Sequence, residues 1–297
     1  MFDVFFMVFL SMFLEGLPFL IIGSLFSSFI LVYVSEERLL KSIPHNRFLG
    51  VLSACFIGFV FPVCECAIVP VFSRLVKKGL PLYIAVTILV SAPLINPIVL
   101  LSTYYAFTQT LGYVYLRFIM GFLVAYSIGL LVPSSLKRGD VLLPKAHAAK
   151  AYNCCCESRF TDFLNHAVNE FFGITRFFIL GSMSASFFQV VFPRHLLMGL
   201  VGSWFLSISF MMVFTYLTSV CSEVDAFIAR SFMGQFTPGA IISFLTFGPM
   251  IDLRNTFLHL NYFRRKYVLA LVFLIAASNF LVGFSVNCLL WIGGVYL

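Results

Sequence analysis

PVCECAIVP (residues 62–70) sets a carboxylate, Glu65, between two thiols, Cys64 and Cys66, in an apolar run with a proline at each end. A shortened form returns in the second half as SVCSEVDAF (219–227), where Cys221 aligns with Cys64 at an offset of 157. The flanking sequence follows suit. Pro81 aligns with Pro238 at the same offset, and after a one-residue gap SAPLINP (91–97) meets TFGPMID (246–252), matching Pro93, Ile95 and Asn96 to Pro249, Ile251 and Asp252. Upstream, Phe19, Gly23, Ser24, Ser28 and Phe29 match Phe177, Gly181, Ser182, Ser186 and Phe187 at an offset of 158. Duplicated halves that carry proline and acidic residues inside apolar segments are the pattern of a transporter built from two repeats around a midplane site.

Composition sets the environment of that phrase. Hydrophobic residues make up 61% of the 297-residue chain and charged residues 10%. A soluble domain carries roughly 25% charged residues, so the expected fold is an all-α polytopic integral membrane protein. The lipid bilayer is then its first partner. The net charge of +7 is spread over short loops and gives no nucleic-acid signature. Met1-Phe2-Asp3 lacks the basic start of a signal peptide, so the first apolar segment is expected to stay in the membrane.

Eight membrane-embedded segments are predicted, at about 4–34, 48–73, 80–108, 112–133, 165–192, 196–222, 237–260 and 267–296. They divide into a first repeat (1–133), a polar linker (134–162) and a second repeat (163–297). Breaks are expected at Pro18, Pro62, Pro93 with Pro97, Pro238 and Pro249, since proline frees backbone carbonyls that a membrane interior cannot hydrate. If all eight segments span, the loops carry nine Lys/Arg on one side and seven on the other, which orients nothing. If 48–76 and 196–230 are re-entrant, fourteen fall on one side and only Arg194 and Arg230 on the other. That asymmetry is what the positive-inside rule expects. It favours inverted repeats with both termini outside, a cytoplasmic linker, and PVCEC and SVCSEVD at the hairpin tips.

Candidate pathway residues fall into two groups. Pro62, Cys64, Glu65 and Cys66, with Cys221, Glu223 and Asp225, combine soft thiolate ligands with acids that are costly in a bilayer unless paired or functional. The bland alternative makes the cysteines apolar fillers and pairs Asp225 with Arg230 at the membrane edge. Pro93, Asn96 and Pro97, with Pro249 and Asp252, sit mid-segment. There a helix break places a partially positive half-helix N-terminus inside the protein, and Asn96 and Asp252 either cap it or touch substrate. Glu15, Arg117, Glu170, Arg176 and Arg254 are further intramembrane charges; Arg254 is a partner for Asp252 or for a carboxylate of the other half. The histidines have no metal-ligand spacing. Cys154, Cys155 and Cys156 lie in the linker, where they capture a thiophilic metal or are incidental. No metal or cofactor site is expected.

PVCECAIVPV (62–71), the basic turn of Arg74, Lys77 and Lys78, Gly79-x-Pro81, SAPLINPIVL (91–100) and GPMIDLRN (248–255) together resemble a predicted permease family that includes the bacterial ArsP organoarsenical efflux permeases. The resemblance covers nearly the whole chain. It implies a multi-pass permease of a bacterial cell membrane, with trivalent organoarsenicals as the substrates of characterised members. The matching positions are Pro62, Cys64, Pro81, Pro93, Asn96, Pro97, Glu223, Pro249 and Asp252.

Two functions follow. One is a secondary transporter, an exporter of a small solute such as a soft metalloid, with Glu65, Glu223 and Asp225 carrying coupling protons or binding a cation; the chain has no G-x-x-x-x-G-K-[ST] nucleotide motif. The other is a non-transporting membrane protein, either a thiol-redox component or a scaffold subunit of a membrane complex. An enzyme is not expected, as protease motifs are absent from the sequence.

Overall fold

A computed structural model describes residues 2–33, 44, 46–60, 64–133, 141–142, 159–191 and 203–293. Within these the chain is helical: α1 (Phe2–Tyr33), α2 (Arg47–Val60), α3 (Glu65–Lys77), α4 (Leu82–Ser91), α5 (Pro97–Ala106), α6 (Gly112–Leu131), α7 (Arg159–Val191), α8 (Trp204–Thr218), α9 (Asp225–Ser231), α10 (Pro238–Met250), α11 (Leu253–Tyr262) and α12 (Arg265–Gly293). Pro62 and the Cys154–Cys156 run lie outside the described residues. A bilayer core needs about 20 apolar helical residues to cross. Four helices meet that length and composition, α1, α6, α7 and α12. The other eight are shorter and work in pairs.

Two of those pairs are hairpins opening toward opposite ends of the bundle. At the first, the Arg47 guanidinium donates to the carbonyls of Leu130 and Val132 at the end of α6 (2.7 and 2.6 Å), and its charge sits 5.3 Å from the Tyr83 ring. The far end of α3 returns to this level, where Lys78 Nζ donates to Leu31 O near the end of α1 (2.8 Å). Segment 48–73 is therefore two helices, α2 and α3, that leave and return at one end. The second hairpin starts at Trp204, beside Phe284 and Trp291 of α12, and returns through α9 to Arg230, which donates to Ala106 O at the end of α5 (3.0 Å). Between its arms Ser219 takes the left-handed conformation (φ 47°), where a serine is uncommon.

The other two pairs are broken helices. α4 stops at Ser91, and α5 begins after Asn96, whose side chain accepts from Ile98 N at 3.0 Å with Pro97 in the first helical position. α10 begins with Pro238 and runs to Met250; Asp252 then caps α11 by accepting from Asn255 N at 2.6 Å. Capping satisfies backbone donors that a proline break would leave bare in lipid. One expected break is absent and another is slightly shifted. Pro18 lies inside α1, which continues through it, and Pro249 lies in the last turn of α10, so the chain leaves the helix two residues later. A proline removes only one amide donor, and packed neighbours hold the turns around it.

α1 and α7 lie antiparallel along the side of both inner pairs, with Met12 against Ser186 near one end and Tyr33 against Phe163 near the other. Gly23 and Gly181 make the crossings possible. A Cβ on Gly23 would lie 2.8 Å from the Ala67 backbone in α3, and one on Gly181 would lie 2.9 Å from Arg254 Cα in α11.

Candidate functional site at the meeting of the hairpin tips

The N-terminal ends of α3, α9 and α11 meet in the interior, and each brings an acid. Glu65 opens α3, Asp225 opens α9 and Asp252 caps α11; they are 2%, 1% and 0% exposed. Helix N-termini carry partial positive charge, which favours an acid at each first turn. Full charges in apolar surroundings still need counter-charges, and each comes from across the molecule.

Asp225 is met by Arg117 of α6 through two bonds, Nη1 to Oδ1 at 2.9 Å and Nη2 to Oδ2 at 2.7 Å. The same guanidinium donates to Thr103 Oγ1 in α5 at 2.8 Å and lies 3.4 Å from Ser222 O. This forked pairing is the strong geometry for arginine and carboxylate. The alternative contact of Asp225 with Arg230 is not formed, because Arg230 turns instead to Ala106 O and Gln109.

Glu65 is met by Arg254, whose Nη2 donates to Oε1 at 2.7 Å and stands 3.7 Å from Asp252 Oδ2. Arg254 also lies 5.3 Å from the centre of the Phe178 ring, within cation–π range. Its backbone N donates to Ser219 Oγ at 3.3 Å, which ties the left-handed turn of the second hairpin to the start of α11. Glu65 Oε2 and Asp252 Oδ2 are both buried without a hydrogen-bond partner.

Cys64 and Cys66 flank Glu65, and both are buried. Cys221 lies on the second tip, partly exposed, on the wall of a cavity of about 340 Å3. Glu15, Met12 and Gln189 line the other wall, and Arg254 and Ser219 complete it. Glu223 is half-buried on the same tip. Pro93 and Pro97 bracket the α4–α5 break around the buried Asn96. Cys64, Glu65, Cys66, Cys221, Asp225 and Asp252 thus gather around Arg254 and Arg117, while Pro93, Asn96, Pro97 and Pro249 shape the broken helices. A third buried pair lies toward the other end, where Arg74 of α3 binds Glu170 of α7 (Nε to Oε2, 3.0 Å). Tyr262 donates to Glu170 Oε1 at 3.0 Å and Ser27 to Oε2 at 3.2 Å.

Sequence offers Arg254 to Asp252 or to a carboxylate of the other half, and it meets both, with Glu65 as that carboxylate; Arg117 and Arg74 are partners that sequence does not assign. The available signal was an arginine inside an apolar stretch, which demands a counter-charge without saying where it lies. All three pairs join a residue before 134 to one after 158.

An all-helical apolar bundle with long spanning helices, broken helices and buried charge pairs defines a multi-pass membrane protein. The chain belongs to the family described as "Predicted permease" (ArsP_1), whose model matches residues 1–288. It is 36% identical over 267 residues to the UPF0718 protein YcgR of Bacillus subtilis (strain 168), covering 89% of this chain and 90% of that protein. It is 35% identical over 268 residues to a putative two-component membrane permease complex subunit of Streptococcus mutans serotype c, covering 89% of each. No solved structure matches. The family describes a transporter rather than an enzyme.

Proposed function

We propose that this chain is a secondary permease of a bacterial cell membrane that exports a small solute through the space between the two hairpin tips. The observation that carries the reading is the convergence of two oppositely opening hairpins and two capped helix breaks on one buried charged centre beside a cavity. Broken helices around a midplane site, contributed by both halves, are the architecture of alternating access. Residues 1–133 and 163–297 are read as inverted repeats joined by a cytoplasmic linker at 134–162. In support, α1 to α6 and α7 to α12 follow the same order of long helix, hairpin, broken helix and long helix. The aligned Asn96 and Asp252 both cap the second half of a broken helix, and the aligned Gly23 and Gly181 both permit a close crossing. Arg47, Lys77, Lys78, Arg264, Arg265 and Lys266 fall at one end, which the positive-inside rule assigns to the cytoplasm.

The pathway residues are Pro62, Cys64, Glu65, Cys66, Pro93, Asn96, Pro97, Cys221, Glu223, Asp225, Pro249 and Asp252. Three thiols around the centre suit a soft substrate such as a trivalent organoarsenical. Burial of Cys64 and Cys66 argues against a thiol-redox component, which needs an accessible pair. The test is uptake of trivalent methylarsenite into inside-out vesicles, with and without a proton gradient. Gradient-dependent uptake lost in Cys64→Ala/Cys66→Ala supports the soft-solute exporter. Uptake that survives the cysteine change reduces the thiols to packing, and absence of uptake removes this substrate class.

A second reading is a subunit of a two-component permease, favoured by the description of the Streptococcus relative. Purification from native membranes with a second membrane protein in equal amount would select it.

A further inference from the structure

Seven charged side chains are buried among the described residues: the carboxylates Glu65, Glu170, Asp225 and Asp252, and the guanidinium groups Arg74, Arg117 and Arg254. Two of the three guanidinium groups are each matched to one acid, Arg74 to Glu170 and Arg117 to Asp225. The surplus carboxylate is therefore local. It falls where Glu65 and Asp252 share Arg254 through the same nitrogen, at 2.7 and 3.7 Å. Each of those acids has one satisfied oxygen, Glu65 Oε1 by Arg254 and Asp252 Oδ1 by Asn255 N. Each also has one buried oxygen with no hydrogen-bond partner.

One guanidinium balances one carboxylate. The α11 N-terminus adds roughly half a charge, but its donor is already engaged by Asp252 Oδ1. A second full negative charge in a medium of low dielectric is too costly to keep. Among the described residues, groups on the neighbouring elements offer no further free cation: Arg176 of α7 is exposed, and α11 itself adds only the buried His259 a turn and a half beyond Arg254. α1 contributes Glu15 across the cavity, α3 contributes Cys64 and Cys66, and α8 contributes Tyr216, bonded to Thr256. The second tip contributes Cys221, α9 contributes Asp225 and α6 contributes Arg117, which Asp225 already holds.

We propose that Glu65 and Asp252 together hold one exchangeable proton, and that this shared site, rather than Asp225 or Glu223, is where a proton couples to the permease cycle. This rests on the transporter reading above and revises which acids carry the proton. Asp225 is locked in a one-to-one fork, and Glu223 is half-buried, within reach of water. The proton enters by way of the cavity whose wall includes Arg254 and Cys221. Glu65 belongs to the first half and Asp252 to the second. Loss of the proton leaves two like charges facing across the interface between the halves around a single arginine. Reprotonation restores a one-to-one balance. The site thus converts a proton into a change in the attraction between halves.

The test needs no substrate, so a failure of methylarsenite transport leaves it intact. Purified protein in nanodiscs is titrated potentiometrically, with infrared difference spectra recording protonated carboxyl groups. The expected result is that wild type binds about one proton per chain more than Glu65→Gln and than Asp252→Asn. The protonated-carboxyl band should be missing from both variants and present in Glu15→Gln, Glu223→Gln and Asp225→Asn. Asn96 occupies the aligned cap in the first half, so Asp252→Asn keeps a capping side chain; if it still fails to fold, Glu65→Gln carries the test. No difference in proton uptake between wild type and the variants overturns the proposal, as does a band that follows Asp225 or Glu223. A difference of two protons overturns the shared-proton form.

Discussion

The two hairpin tips start from the same plan and end with opposite electrostatics. On the second tip, Asp225 has an arginine to itself, gripped by both oxygens, with Thr103 fixing the guanidinium from a third helix. On the first tip, Glu65 shares its arginine with Asp252 and leaves one oxygen bare. The former is a closed account of charge and has no reason to change. The latter is balanced only by something that comes and goes. An acid in a membrane is thus not informative by itself; the number of carboxylates per guanidinium separates a clamp from a switch.

The largest expected effect falls on the clamp. Arg117→Ala leaves Asp225 buried and unpaired and should cost about 3–5 kcal/mol, read as a large loss of thermal stability in detergent. Replacing both partners, Arg117→Met with Asp225→Leu, should recover much of that loss. If the single change is tolerated, the clamp is not the rigid member of the comparison. Glu65→Gln, by contrast, removes one of two acids competing for Arg254 and should leave the melting temperature within a few degrees of wild type. A collapse there would make the two tips alike.

Next come the crossings that hold each tip against a long helix. Gly181→Ala would push into the Arg254 backbone and Gly23→Ala into that of Ala67. Each should cost about 1–3 kcal/mol, with Gly181→Ala also disturbing the shared arginine. Thermal stability reads the first effect. The rate of Cys221 alkylation by a membrane-impermeant maleimide reads the second, since Cys221 shares the cavity wall with Arg254.

The smallest expected effects are at the caps. Asn96→Ala and Asp252→Ala each remove an acceptor from a buried helix start and should cost about 1 kcal/mol. Asp252→Asn should lose less than Asp252→Ala, because an amide oxygen still accepts from Asn255 N. Equal losses for the two Asp252 variants would mean that its charge, and not its cap, stabilises the fold.

Much of this arrangement could be read from residues in order. Apolar runs with few charges required helices in lipid. The sixteen loop cations favoured segments that leave and return on one side, and the Arg47 and Lys78 contacts set the start of α2 and the end of α3 against the ends of α6 and α1. Asn96 and Asp252 stand at the caps their prolines suggested. The misses have a common cause. Pro18 reads as a break because the local effect of proline is visible in sequence, whereas the neighbours that hold a helix through it are not. Nearness along the chain makes Arg230 the bland alternative partner for Asp225, yet the partner it holds, Arg117, is more than a hundred residues away.

By itself the sequence determined that this chain lies in a membrane and that acids and arginines must be buried there. These follow from transfer free energies and helix geometry, which act over a few residues at a time. Only the tertiary structure decided which arginine faces which acid. A Coulomb interaction depends on distance in space, and no local rule fixes distance between helices a hundred residues apart. The odd carboxylate at Glu65 and Asp252 therefore became visible only when the two halves were set against each other.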